Sequence, residues 1–194
     1  MPRYTYGASL LAIFAACPLT AFAQQAAPPS SVDPLVVTAS RSGDATPADL
    51  VGASVTVIDD QALQQRQTVV VSDVLRDVPG VAVSRTGGVG DMTQVRIRGA
   101  EGNQTLVLID GIKASDPFFD EYDFGTIIAD PDARIEVLRG QQSALYGSDA
   151  IGGVISYTTL TGAEAPGIHV RAEGGSMGTY SGGARIAGVS GDLD

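Results

Sequence analysis

From Ala53 onward the chain breaks into short runs in which apolar and polar residues alternate, separated by glycine, proline and acidic clusters. Val55 and Val57 alternate with Ser54 and Thr56, which predicts a strand, and Asp59 or Asp60 is placed to cap a short helix over 61–66. Val71, Val74, Leu75 and Val78 share one face of a second helix over 71–78, which Pro79-Gly80 ends. Alternation resumes at Val81 and Val83, followed by a glycine-rich loop, TGGVGDM, at Thr86–Met92. Val95 and Ile97 then face one way and Arg96 and Arg98 the other, a strand with one wet or ion-paired face. Thr105–Ile109 is continuously apolar and runs into Asp110-Gly111, which predicts a buried central strand entering a tight hairpin-like turn. A long acidic and aromatic loop, Lys113–Phe124, precedes another strand in which Ile135 and Val137 flank Glu136. Gly140–Gly153 is punctuated by glycine and has room for one helical turn at Ser143–Tyr146, after which Val154–Thr158 closes the sheet.

The first residues follow other rules. One Arg precedes an apolar run, Ala8–Ala16, and small residues close the segment at Ala21-Phe22-Ala23, so 1–23 reads as an export signal with the mature chain starting near Gln24. The apolar run falls short of the roughly 20 residues that a spanning helix needs. Cys17 is a poor lipidation site, with Phe14 where such motifs want Leu and Pro18 directly after it. Gln24–Val32, QQAAPPSSV, has nothing to bury and reads as a flexible linker within 24–47. Inside that linker Leu35–Ala39 is β-prone yet has no obvious partner strand of its own, as expected of a strand offered to another protein's sheet.

Composition removes several function classes. Once Cys17 leaves with the signal no cysteine remains, and His169 is the only histidine, so disulfides, Cys/His metal sites and Ser-His-Asp catalysis are not expected. The formal charge of −10 disfavours a nucleic-acid role, since phosphate backbones demand a basic footprint. The acidic residues of 116–123 do not match the calcium-loop spacing and read as a solvated loop. The stretch LRGQQSALYGSDAIGG lacks the Lys-Ser/Thr pair of a phosphate loop.

Taken in order, DPLVVTA at 33–39, VSDVLRDVPGVAV at 71–83, VRIRG at 95–99, TLVLIDGI at 105–112 and RIEVLRGQQSALYGSDAIGGVISY at 134–157 resemble the TonB-dependent receptor family, most closely its cobalamin-receptor branch. The resemblance covers nearly all of 33–194. Gln141, where the family commonly has Pro, and Ser156-Tyr157, where it commonly has Asn and an aliphatic residue, depart from the pattern. The implied fold is α+β: a small mixed-sheet plug with short helices over 48–159, then the first strands of a transmembrane β-barrel over 160–194, where Ile168–Glu173 and Tyr180–Ala187 alternate like barrel hairpin strands. The barrel is incomplete in this chain.

The resemblance also implies roles. Asp33, Pro34, Leu35, Val36, Val37, Thr38 and Ala39 form the segment that TonB, through its periplasmic C-terminal domain, grips by strand addition; an outer membrane without nucleotide fuel needs energy delivered by such contact. Arg98, Glu136 and Arg139 are expected to form ion pairs between plug and barrel wall, the two arginines with acidic residues of the inner wall. Substrate contact is expected from outward loops, at Gly87, Gly88, Val89, Gly90 and Asp91 and at Ser115, Phe118 and Phe119. The implied cargo is cobalamin, with a ferric siderophore as the alternative, and the implied location is the outer membrane; no cofactor or resident metal is expected. Only a short stretch separates Gln24 from Asp33, leaving no space for an extra signalling domain. A free-standing periplasmic plug-like binding module is the competing class, because the chain stops at Asp194 with too few strands for a closed barrel.

Overall fold

In the computed structural model the described residues are 35–36, 46–178 and 180–189, all within one unit, Asp33–Asp194. The predicted export signal and the linker up to Pro34 lie outside them, as do Val37, Thr38 and Ala39.

Five strands form a mixed sheet. They are β3 (Ser54–Ile58), β6 (Thr105–Ile109), β7 (Ile112–Lys113), β8 (Ala133–Arg139) and β9 (Gly153–Thr159), in the spatial order β3-β8-β9-β6-β7. Only β6 and β9 run parallel; the other neighbours are antiparallel. The last strand in sequence therefore sits in the middle, so 154–158 completes the sheet by insertion, and β6 lies one place from the edge. The β6–β7 turn is the two-residue hairpin that Asp110-Gly111 predicts: both residues have positive φ, 49° and 78°, the backbone that matches the twist of flanking strands. The Asp110 carboxylate also accepts from the Thr159 amide at 2.7 Å, tying this turn to the end of β9.

Both faces of the sheet are covered, and alternation assigns each residue to one of them. Ile58, Val107, Ile135, Val137, Ile155 and Tyr157 point to the larger core, shared with α1 (Asp60–Arg66), α2 (Val71–Leu75) and the hairpin of β4 (Val81–Arg85) and β5 (Thr93–Ile97). Asp59 caps α1 by accepting from the Ala62 amide at 2.8 Å. The second helix is shorter than the apolar pattern suggests: after Leu75 the chain tightens into successive three-residue turns, with Val78 N–H to Leu75 C=O at 3.1 Å. Pro79 disfavours helical backbone at Val78, although Val78 remains buried. On the opposite face Leu106, Leu108, Leu138 and Val154 form a smaller core with Ala150, which follows α3 (Ser143–Tyr146).

That smaller core holds a correction. β1 (Leu35–Val36) is not without a partner: it pairs antiparallel with β2 (Thr46–Pro47), and Val36 is fully buried among Leu106, Leu108, Leu138 and Val154. The partner is a two-residue strand beginning at Thr46 and ending in Pro47, too short and too polar to be seen as a strand in the sequence.

β10 (Gly167–Gly174) and β11 (Tyr180–Ala187) form an antiparallel hairpin. In its register Ile168 faces Ile186, Val170 faces Ala184 and Gly174 faces Tyr180, giving one face that is apolar and solvent-exposed. His169, Arg171, Glu173, Ser181 and Arg185 alternate onto the other face. Apolar on one side and polar on the other, with period two, is the pattern of a strand between lipid and a barrel interior.

Candidate functional site

Two loops stand side by side. The first, between β4 and β5, is closed at its neck by Thr86 N–H to Met92 C=O at 3.1 Å and at its tip by Gly88 N–H to the Asp91 carboxylate at 2.6 Å. Gly90 has φ 94°, which a side chain tolerates poorly. Gly87, Gly88, Val89, Gly90 and Asp91 are all exposed. The second loop leaves β7 and is organised by Asp116, whose carboxylate accepts from the amides of Phe118 and Phe119 at 2.8 and 2.9 Å. This turn holds both rings outward: Phe118 is 89% and Phe119 76% exposed, while Ser115 is half-buried.

The loops are stitched together. Thr93 N–H donates to Asp123 Oδ1 at 2.8 Å, Phe124 N–H to Thr93 C=O at 2.9 Å, and Gln94 Nε2 to Glu121 Oε2 at 3.1 Å. Between them lies a groove of about 440 Å³ lined by Met92, Gln94, Asp116, Phe119, Glu121 and Tyr122, among others. Tyr122 packs edge-on against Phe124 at 4.8 Å, and burial, with the Asp123 charge, pushes its hydroxyl above the usual phenol range. The sequence points to the two loops but misses Gln94, Glu121 and Tyr122 as wall residues. The acidic, aromatic texture of 113–124 was the available signal, yet only the cross-loop bonds reveal which side chains line the groove.

Behind the second loop Lys113 bridges Asp120 at 2.7 Å and Asp149 at 2.6 Å. Its bonds to Asp120 first and Asp149 second raise its pKa, and the bond from Lys113, with that from Ser148, holds the Asp149 carboxyl below its ordinary value. The loop is thereby fastened to the turn that carries Ala150 in the smaller core.

The three charged residues of the strand motifs do not gather at one place. Arg98 and Arg139 meet at one end of the sheet: Arg98 Nη2 donates to Ser54 Oγ at 3.0 Å, and Arg139 donates to Pro79 C=O at 2.8 Å and Thr56 Oγ1 at 3.1 Å. A Cβ at Gly140 would lie 2.9 Å from Arg98 Nη1, so the absence of a side chain there lets the guanidinium approach Arg139's neighbour. Among the described residues neither guanidinium forms an ion pair. Glu136 alternates onto the opposite face, 2% exposed, and binds Arg134 Nη2 at 2.8 Å within the same strand. Of the 33–39 segment, only Leu35 and Val36 are among the described residues.

Comparison with known proteins fits this arrangement. The family profile described as TonB-dependent Receptor Plug Domain matches residues 47–154. The chain is similar to the Vitamin B12 transporter BtuB of Photobacterium profundum, 38% identical over 167 residues, which cover 86% of this chain and 27% of that protein. Thus the chain spans about a quarter of the length of this curated relative. Among solved structures, FpvA of P. aeruginosa bound to a heterologous pyoverdine superposes with a TM-score of 0.58 at 24% identity, over 76% of this chain and 19% of that one. The ferric yersiniabactin uptake receptor FyuA from Yersinia pestis gives 0.53 at 22% identity, over 75% of this chain and 23% of its own. At such identities these two establish the fold. With a five-stranded mixed sheet, short helices, paired outward loops and a matching profile over 47–154, the chain belongs to the TonB-dependent receptor family and carries its plug domain.

Proposed function

We propose that this chain is the N-terminal, plug-bearing portion of an outer-membrane receptor for active uptake of a scarce, bulky nutrient, with cobalamin as cargo. The 38% identity to a vitamin B12 transporter over 86% of the chain is the observation that carries the cargo assignment. In this reading the groove between the two stitched loops receives one side of the cargo. Phe118 and Phe119 supply apolar contact, and Gly87, Gly88 and Gly90 let backbone approach closely, with Val89, Asp91 and Ser115 beside them. Energy enters at Asp33–Ala39, which adds as a strand to the periplasmic C-terminal domain of TonB. Arg98 and Arg139, without carboxylate partners among the described residues, face acidic residues of the enclosing barrel wall; Glu136 lies apart from them, bound to Arg134 on the opposite face of the sheet. An export signal at 1–23 delivers the chain, and no enzymatic step is involved.

A ferric siderophore is the second reading, favoured by the ferric cargo named for both fold relatives. Their identity, below a quarter, leaves cargo open. A free-standing periplasmic module is disfavoured by the hairpin, which would leave Ile168, Val170, Tyr180 and Ile186 in water, each more than 70% exposed. Growth of a strain deleted for the gene, limited for cobalamin or for chelated iron, separates the cargoes: cobalamin dependence is expected, and dependence on the iron chelate alone reassigns it. Removing 35–39 from the receptor should abolish uptake and spare surface binding. Normal uptake after that removal defeats the coupling role.

A further inference from the structure

The hairpin of β10 and β11 meets the plug through its polar face, and the contact centres on one residue that the sequence motifs pass over. Asp132, which immediately precedes β8, is 7% exposed. Its carboxylate lies 3.5 Å from His169 Nδ1 and 3.6 Å from Arg185 Nη1. Arg185 Nη2 donates in addition to the carbonyls of Leu160 and Thr161, in the connector between β9 and the hairpin. The backbone closes the same knot, since Leu160 N–H donates to Asp132 C=O at 3.0 Å. In the connector, the Glu164 carboxylate accepts from the Thr161 amide at 2.9 Å and from its hydroxyl at 3.0 Å, and those bonds, the backbone one foremost, hold its pKa below the ordinary value. A single guanidinium thus ties together the plug's sheet, the connector and the first hairpin.

Two features distinguish this knot from a surface ion pair. Arg185 Nη1 is buried and makes no hydrogen bond, so Asp132 is the carboxylate that offsets its charge there. Open space also flanks it: crevices of about 250 and 510 Å³, both lined by Pro131, Val170 and Arg171, separate the rest of the plug from the hairpin. Apart from the chain itself, the knot is where that boundary is closed by charge. Val36, the described end of the coupling segment, packs in the smaller core on the other face of the sheet from Tyr157 and Ile155.

We propose that Asp132, Arg185 and His169 form a fixed anchor that pins the C-terminal end of the plug to the first barrel hairpin. The anchor stays closed while force applied through 33–39 displaces other parts of the plug. Asp132 and Arg185 are positioning residues: they touch no cargo and set which boundary opens. The inference rests on the receptor reading above, and its test has one arm that needs no cargo.

In the complete receptor reconstituted in lipid bilayers, D132N and R185Q should raise ion leak without cargo by about tenfold, because each leaves a buried charge or donor uncompensated beside the crevices. R185K, which keeps the charge but loses the fork, should fall between them and the parent. Leak at the parent level in correctly assembled D132N and R185Q overturns the anchor. The second arm places cysteines at Pro131 and Gly183, which line the same crevice; a side chain at Gly183 meets open space. Bridging P131C and G183C with a short reducible thiosulfonate linker should leave energised cargo uptake unchanged. Uptake that is lost on bridging and regained on reduction shows that the joint must open, and overturns the proposal. Should the unbridged receptor take up neither cobalamin nor ferric siderophore, the cargo reading fails while the leak arm still decides the anchor.

Discussion

Replacing Val36 with cysteine, in a chain whose Cys17 is changed to serine, measures how firmly the start of the segment proposed to couple to TonB is docked. The side chain at 36 has no solvent exposure and lies among Leu106, Leu108, Leu138, Ala150 and Val154. Its strand adds only two ladder pairs, Leu35 with Pro47 and Val36 with Thr46. Net hydrogen-bond gains of about 1 kcal/mol each are roughly cancelled by the 1–2 kcal/mol per residue needed to order the backbone. What remains is burial of the side chain, about 1.5–3 kcal/mol. Since about 1.4 kcal/mol is a factor of ten, V36C should react with a maleimide roughly ten- to hundredfold more slowly than a cysteine at exposed Gln141. Labelling kinetics at fixed reagent concentration give the ratio directly, because the chain then carries no competing thiol. Adding the periplasmic domain of TonB should speed the reaction by capturing the undocked strand. If V36C reacts within about twofold of the exposed reference before any partner is added, the docking energy argued from burial is wrong.

Two further outcomes follow from buried polar groups. Tyr157 is 9% exposed and burial pushes its hydroxyl pKa up to about 12. The unfolded chain ionises near 10 while the folded chain holds the proton, so this contribution is complete below pH 10 and is lost as pH rises towards 12. Urea midpoints should therefore fall between pH 9 and 11 more steeply for the parent than for Y157F, and equal slopes would contradict the assignment. Arg134→Met should cost about 1.5–3 kcal/mol in the same assay by removing the charge-assisted bond at 2.8 Å to the buried Glu136 carboxylate, and R134M/E136L should recover part of it; a single substitution without effect would show that the pair adds nothing to stability.

Local pattern was enough for much of this fold because hydrophobic alternation and turn chemistry are set by neighbours in sequence. The strands at 54–58, 93–97 and 105–109, the Asp59 cap and the Asp110-Gly111 turn all appear where period, capping oxygen and positive-φ residues place them. The order of motifs from 33 to 157 also carries the family. Sheet order is different. Nothing local tells β9 to insert between β8 and β6, and once both faces of β8 are covered, 135–138 is buried at every position and alternation no longer distinguishes the sides. The pairing of Leu35–Val36 with Thr46–Pro47, the burial of Glu136 away from Arg139, the groove wall at Gln94, Glu121 and Tyr122, and the knot at Asp132 belong to the tertiary structure alone. All but the Glu136 pairing, which lies within one strand, join residues from separate elements whose side chains have no individual signature. Local pattern sets which face a residue turns to the core; only the packed chain decides what it meets there.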